Sequence, residues 1–308
     1  MSKLATISSN PFLKEYAQGA AQSAASSVAD FIAPAVQVGA SVGKYKAYTE
    51  KNRFHIPETL RELGGDATQL GFAASDKTYN CEPHALDFPI DNLEKIESDD
   101  LMNIAQEGAD IIAAAASLSH EKRVIDAAID AAGAGTALAI GAGDDIIDQL
   151  DSDILDVIKA AKYGALMGVG IVLGAGAFRK VKNHASVKGR FVSGGASKFA
   201  VPSAPDIAGM LIAKPDVQVT LMCFDDAEEG LAEDIQFMMD GDILVFARMP
   251  NPTRRDPSFM KTFRLRNQWM VPGSYQKQDG RGEVMKFDWS SDVQVTNTAA
   301  VKRRTVAL

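Results

Sequence analysis

Between Asn92 and Ala132 the residues Leu101, Ile104, Gly108, Ile111, Ala115, Leu118, Ile125 and Ile129 recur at spacings of three, four or seven. That period lines them along one side of an α-helix. A helix over 92–132 would be about 60 Å long at roughly 1.5 Å per residue. A compact domain needs nothing so long, and the pattern predicts a spine to which other elements attach. Its ends carry their own signals. Asp91 followed by Glu94 is an acidic variant of the capping box, and Gly133-Ala134-Gly135 supplies the residue type that stops helices.

The segments on either side of this spine lack cover. Residues 1–38 are rich in Ala, Ser and Gln, with Phe12, Tyr16 and Phe31 as the aromatic content and breakers at Pro11 and Pro34. Such a segment buries too little apolar surface to order itself alone, so it reads either as an arm that needs a partner or as a loose terminus. Residues 39–91 read as a long two-stranded excursion. Lys44 to Thr49 lead outward toward Phe54 and Ile56, and Tyr79 to Ile90 return with Leu86, Phe88 and Ile90 at period two. Between them Pro57 to Ser75 forms a largely polar tip. An isolated ribbon is marginal in water, so a neighbouring surface is expected to cover it.

After the spine the chain is mixed. Helical patterns are expected over Asp153–Ala165, Ala175–His184 and Ile207–Ile212. Strands are expected at Val169–Leu173, Val217–Met222, Ile243–Ala247, Met260–Arg266, Val284–Phe287 and Val293–Val306, broken by Pro250, Pro252, Pro257 and Pro272. No alternating βαβ series is long enough for a doubly wound sheet, and the fold class is α+β.

Charge excludes some functions and suggests others. With a net charge of -8, a diffuse electrostatic grip on nucleic acid is not expected, although a container that holds DNA without gripping it is compatible. Residues 93–163 hold 15 acidic and 5 basic side chains, whereas residues 248–308 hold 12 basic and 5 acidic. Such opposite fields suit docking of one stretch on the other, within a chain or between chains. Residues 1–18 show no secretory signal, and synthesis in the cytosol follows. The most apolar run, Tyr163–Phe178, is 16 residues and glycine-rich, short of the roughly 20 that span a membrane. Cys81 and Cys223 read as reduced thiols.

Candidate chemistry is thin. Gly168-Val169-Gly170 with Gly174-Ala175-Gly176 has the spacing GxGxxxGxG rather than GxGxxG, and no P-loop Lys follows. It reads as close packing of a strand on a helix, with a Gly-loop nucleotide-binding enzyme as the rival from another class. The acids Asp144, Asp145, Asp148, Asp151, Asp153 and Asp156 lack the pattern of a calcium loop and read as a solvated helix start favoured by the helix dipole. His55, His84, His120 and His184 form no HExxH or HxH pair. Cys81 and His84, three residues apart across Pro83, would not naturally meet. No catalytic residue, cofactor or metal is expected.

The order of parts then resembles the Hong Kong 97-type capsid fold of tailed phages, and several stretches resemble one branch of those major capsid proteins. They are Val38-Gly39 to Tyr45, Asn52-Arg53-Phe54-His55-Ile56-Pro57, the run Tyr79-Asn80-Cys81-Glu82-Pro83-His84-Ala85-Leu86 with Ile90-Asp91, Ser152-Asp153-Ile154 to Ala160, Val172-Leu173-Gly174 with Phe178 and Asn183-His184, and Pro257-Ser258-Phe259 before Thr262-Phe263. The resemblance runs from about Phe31 to the end, and its most specific piece is the Tyr-Asn-Cys-Glu-Pro-His run. The sequence departs at Val169-Gly170, where the branch has Pro-Asn, and at Ala185, where it has Pro.

The resemblance implies a subunit that self-assembles, as pentamers and hexamers, into an icosahedral head around double-stranded DNA, without sequence-specific binding and away from membranes. Residues 1–38 would be the N-terminal arm and 39–91 an extension loop lying on the adjacent subunit. Residues 92–139 with 251–308 would form the peripheral domain with its spine helix, and 140–250 the axial domain. The contacts between subunits would fall on Lys44, Lys46, Lys51, Arg53, Leu60, Arg61, Glu62, Leu63, Asp66 and Leu70. Portal, scaffold and decoration proteins are implied as partners, and the virion as location after assembly in the host cytoplasm. An encapsulin-like nanocompartment shell is the alternative with the same fold.

Overall fold

The computed structural model describes residues 28–47, 60, 75–92, 101–161, 168–194, 201–227, 230–254, 256–269 and 271–308. In chain order the elements begin with α1 (Val28–Ile32), β1 (Ala35–Val38), β2 (Val42–Ala47), β3 (Ser75–Asn80), β4 (Glu82–Asp91), α2 (Leu101–Ala132) and β5 (Thr136–Ala137). There follow α3 (Ile146–Ala161), β6 (Gly168–Leu173), α4 (Ala175–Asn183), α5 (Ala185–Ser193), α6 (Ala204–Met210), β7 (Asp216–Val219), β8 (Cys223–Asp225) and β9 (Ile235–Phe237). The last five strands are β10 (Asp242–Arg248), β11 (Met260–Leu265), β12 (Val271–Gln276), β13 (Gly282–Val295) and β14 (Val301–Thr305).

The spine is present as α2, 32 residues long; Glu94 of the expected capping box lies outside the described residues. It stops where expected. Gly133 adopts φ +70 and donates its N–H to the carbonyls of Ile129 and Asp130, a left-handed closure that glycine allows without strain. Expected residues Gly108 and Ile125 are buried, but over the turns around 111–116 the buried face is turned from the expected one. Ala109, Ile112, Ala113 and Ala116 are buried against Met285, Phe287 and Trp289, while Ile111 is half exposed. The run Ile111-Ile112-Ala113-Ala114-Ala115-Ala116 is apolar all round, so periodicity alone cannot choose a face. Gly108 lets helix and sheet approach closely: a Cβ there would lie 2.7 Å from Phe88.

The sheet under α2 is built on β13, which pairs antiparallel with β4 over Gly282–Ser291, with β12 over Glu283–Asp288 and with β11 over Ser291–Val295. β1 adds to β11 in parallel. Sequence patterning split β13 in two because Lys286, Asp288, Ser290 and Asp292 interrupt its apolar residues, and it missed β12 because Pro272 lies within it. β12 ends the sheet, an edge position where a strand tolerates proline.

The second sheet runs β5-β14-β10-β6-β7. Its central strands β6 and β10 are almost wholly buried and share one core with α1, α3 and α4. Two groupings differ from expectation here. Residues 28–38 put Val28, Phe31, Ile32 and Val36 into the body's cores rather than into an arm lacking cover. The last strand, β14, pairs with β10, so residues 301–305 sit beside 242–248 and not in the sheet under the spine. The expected Val293–Val306 strand is broken by a single turn at Thr298–Ala300, capped by Asn297.

Helix α3 begins seven residues before the expected Asp153. Asp145 sets its start by accepting from the amides of Ile147 (3.1 Å) and Asp148 (3.5 Å). Asp153 is therefore inside the helix and not in a solvated start. It is buried and accepts from Arg304 Nε (2.6 Å) and Nη2 (2.9 Å), with Lys302 at 3.5 Å. The opposite fields of the two stretches thus meet here within one chain, α3 against β14. Helix α5 was not expected, since its glycine and β-branched content is weak; His184 caps it by accepting from the Ser186 amide.

Candidate inter-subunit surface

Among the described residues two strand pairs stand outside the main sheets: β2–β3, in register from Val42↔Asn80 to Ala47↔Ser75, and β8–β9, from Cys223↔Phe237 to Asp225↔Ile235. The first is the base of the expected excursion. Tyr79 stacks on Phe263 with ring centroids 4.6 Å apart, and Tyr45 lies 5.3 Å from the same ring. With Val36, Val38 and Cys81 they form a small core of their own. Gly43 is required there, because a Cβ would fall 2.4 Å from the Tyr79 hydroxyl.

Of the expected contact residues, Lys44 lies on β2, exposed and 4.0 Å from Asp76, and Leu60 is 84% exposed. Lys46 lies on β2, but its side chain is not among those described. Lys51, Arg53, Arg61, Glu62, Leu63, Asp66 and Leu70 lie outside the described residues.

The second pair, β8–β9, is a feature that sequence reasoning missed. Leu221, Leu231, Ile235 and Phe237 are exposed on and around it, Leu231 by 70%. Its inward contact is Phe224, which packs on the main core beneath the Lys122 ammonium, 4.6 Å from the ring. A signal was available. From Leu221 to Asp242 there is no Lys or Arg, while apolar residues persist, a combination that a buried strand or an ordinary polar loop would not show.

Polar side chains bind α2 to its surroundings. Arg264 lies between the Asp30 carboxylate (2.8 Å) and the Trp269 ring (4.1 Å), and its Nη2 is 3.3 Å from His120 Nε2. Burial, and then the positive charges of Arg264 and Arg123, push the His120 imidazole down to about 3, so it is neutral. His84 is lowered by burial and by Arg123, whose Nη1 lies 2.8 Å away. Glu121 is fully buried, and burial raises it, opposed by the Val28 amide. Lys261, also fully buried, lies 3.0 Å from Asp256 and donates to the carbonyls of Thr253 and Asp256; burial lowers it. The apolar template passed over this part of α2 because its inward residues are polar.

The features weighed as chemistry have structural employment. Gly176 donates its amide to Asp240 Oδ1 at 2.6 Å, and the amides of Ala175 and Ala177 bond the carbonyls of Met239 and Asp240. The helix start that would have to cradle a phosphate is therefore filled by the chain's own loop. At Gly174 a Cβ would lie 2.3 Å from the Asp240 carbonyl, the close packing expected. Cys81 directs its Sγ to the Phe263 carbonyl while His84 faces Trp289 and Arg123, so the two are not brought together. Cys81 and Cys223 are both free thiols. Among the described residues no helix is long and apolar enough to cross a membrane.

A spine helix over one sheet, a second sheet that receives the C-terminal strand, and an anchored excursion before the spine together define the Hong Kong 97-type capsid fold. Solved structures agree. The chain is similar to a phage-related protein from Bordetella bronchiseptica RB50, at 14% identity over 96% of each chain and a TM-score of 0.71. It is also similar to the asymmetric unit of the bacteriophage PhiM1 mature capsid, at 11% identity over 90% of this chain and 86% of that one, TM-score 0.54. A third likeness is to the satellite phage P4 procapsid including size determination (Sid) protein, at 11% identity over 96% and 91%, TM-score 0.52. No protein-family model and no curated protein matches the sequence. The chain has the fold of tailed-phage major capsid proteins.

Proposed function

We propose that this chain is a major capsid protein, a structural and non-enzymatic subunit that self-assembles into the icosahedral head enclosing a tailed phage's double-stranded DNA. The observation that carries the reading is likeness over 90–96% of the chain to a phage-related protein and to structures described as a phage capsid and a phage procapsid. The energetics support it. A ribbon anchored at its base and an apolar hairpin open to water both ask for a neighbour, and many weak contacts gain strength through multivalency. In this reading the base of the 39–91 excursion stays on its own chain through β2–β3 and β4, and residues 48–74 lie on the adjacent subunit. The sheet under α2 belongs to the peripheral domain, and the sheet of β6, β10 and β14 to the axial one. The virion is its location, with portal, scaffold and decoration proteins as partners.

The test is electron microscopy and light scattering of the purified protein. Closed or curved shells are expected. A monomer that stays monomeric at high concentration across salts, with no phage partner restoring assembly, sinks the reading. The encapsulin-like alternative is not favoured, since structures described as phage capsids match the chain.

A further inference from the structure

The segment Ala175–Gly194, helices α4 and α5, contains Arg179, Lys180, Lys182, Lys188 and Arg190 and no acidic residue. This is a concentrated positive surface in a chain of net charge -8. Arg190 pairs with Asp145 and Lys182 lies over the Phe178 ring. Arg179, Lys180 and Lys188 have no ion pair among the described residues. Beside them opens a cleft of about 450 Å³ lined by Ile140, Arg179, Lys180, Asn183 and His184. The β8–β9 hairpin has the opposite character: Asp225, Asp226, Glu233 and Asp234, no base, and exposed Leu231, Ile235 and Phe237.

Among the described residues the two surfaces lie at opposite ends of α4. The hairpin's base adjoins the start of α4, through Met239 and Asp240, while the cleft lies at the other end of that helix. A projecting patch and a complementary receptor on different parts of one subunit make a heterologous contact, which closes into rings when the rotation allows. We propose that the acidic, apolar β8–β9 hairpin of one copy seats on the basic α4–α5 surface of a second copy, with a hairpin side chain entering the Ile140 cleft. The inference rests on the shell-subunit reading and names the contact that would build its rings.

The experiment uses the full chain in three forms: Arg179→Glu with Lys180→Glu and Lys188→Glu; Asp226→Lys with Glu233→Lys; and the two sets combined. All five positions are surface side chains away from the cores, so circular dichroism and melting are expected to match the parent. Ring and shell formation, read by native mass spectrometry and microscopy without DNA, is expected to fall by about tenfold or more in each single set, because like charges then face each other. The combined set is expected to recover at least half of the parent's yield. A Leu231→Ser variant, which keeps every charge, is expected to weaken rings as well.

Two outcomes overturn the contact. One is ring formation at parental yield in the helix-reversed set. The other is DNA-free shells at parental yield with loss of packaged DNA only, which would assign the basic helices to phosphate. Failure of the shell reading looks different: the parent would form rings that respond to the charge swap as described and yet never close into shells, and the ring contact would stand.

Discussion

The two isolated strand pairs make an instructive contrast. Both β2–β3 and β8–β9 are two-stranded, and such a pair is marginal alone in water. β2–β3 sets Tyr45 and Tyr79 on Phe263 and buries all three rings. β8–β9 holds on through Phe224 and leaves Ile235 and Phe237 in solvent. The first is thus secured by its own chain at its two strands; the second exposes its apolar side chains directly. Each also carries one thiol, Cys81 just after β3 and Cys223 opening β8.

The largest expected effect comes from removing what the first ribbon projects. Replacing Glu58 to Ala74 with a short Gly-Ser linker should leave a cooperative melting transition near the parent's, because the anchoring rings and both sheets are untouched. Shells should be lost in microscopy. A truncated protein that assembles as well as the parent would make the ribbon an ordinary surface loop and end the proposal that residues 48–74 lie on a neighbour.

Next is the anchor itself. Phe263→Ala removes a fully buried ring from under both tyrosines, and large-to-small aromatic changes in cores cost about 3–5 kcal/mol. Denaturant unfolding of a tip-deleted subunit that also carries Arg179→Glu, Lys180→Glu and Lys188→Glu, the background for the tip-deleted measurements below, keeps both shell and ring assembly out and should show a loss in that range. A loss below about 1 kcal/mol would mean that β2–β3 is held by something other than this stack.

The thiols sharpen the contrast without touching stability. Burial, and then the Asp292 charge, push the Cys81 thiol up to about 11, and the thiolate is the reactive form. At pH 8 iodoacetamide should label the exposed Cys223 at least about 100-fold faster than Cys81. Phe263→Ala should narrow that gap by opening the pocket around Cys81. Equal labelling of the two thiols in the parent would contradict the anchored base.

Acid should weaken the strand that carries the anchor. On β11, Phe263 serves the ribbon, and its neighbour Arg264 faces His120, Asp30 and Trp269, with Arg123 and His84 close by. His120 ionises near 6.5 when unfolded but only near 3 when folded. Between those values the unfolded state binds one proton more, so stability falls as pH falls from 6.5 toward 3, by up to about 1.4 kcal/mol per unit. From pH 6.5 to 5 the tip-deleted subunit should lose about 2 kcal/mol through this group. His120→Gln should flatten the dependence; an unchanged slope would assign the acid sensitivity elsewhere.

Much of this architecture was legible in the sequence, and the failures have physical causes. The spine and its stop were readable because a 32-residue helix repeats its period many times and Gly133 closes it. Its buried face was not, since the alanine run is apolar on every side and His120 and Glu121 break the pattern where the helix is most enclosed. The ribbon's return strand was readable from period two, whereas β12 hid behind Pro272. The α3 start was misplaced because helix acids that cap, as Asp145 does, look the same in sequence as acids that pair across the core, as Asp153 does. Of the two isolated strand pairs the first was legible and the second was not: strands of three residues are too short to show alternation.

The smallest expected effect separates the two ribbons most directly. Ile235→Ser changes a side chain that is 60% exposed, on a pair whose inward contact comes from Phe224. Fully burying an isoleucine contributes about 1.5–3 kcal/mol, but little of this side chain is withdrawn from water within its own chain. The tip-deleted subunit should therefore change by no more than about 0.5 kcal/mol, against the several kcal/mol expected for Phe263→Ala. In the full-length protein the same substitution should lower the yield of rings, because there the side chain is covered by a second copy. A loss above about 1.5 kcal/mol in the isolated subunit would show that the hairpin packs on its own chain. The contrast between an anchored ribbon and an uncovered one would then fail.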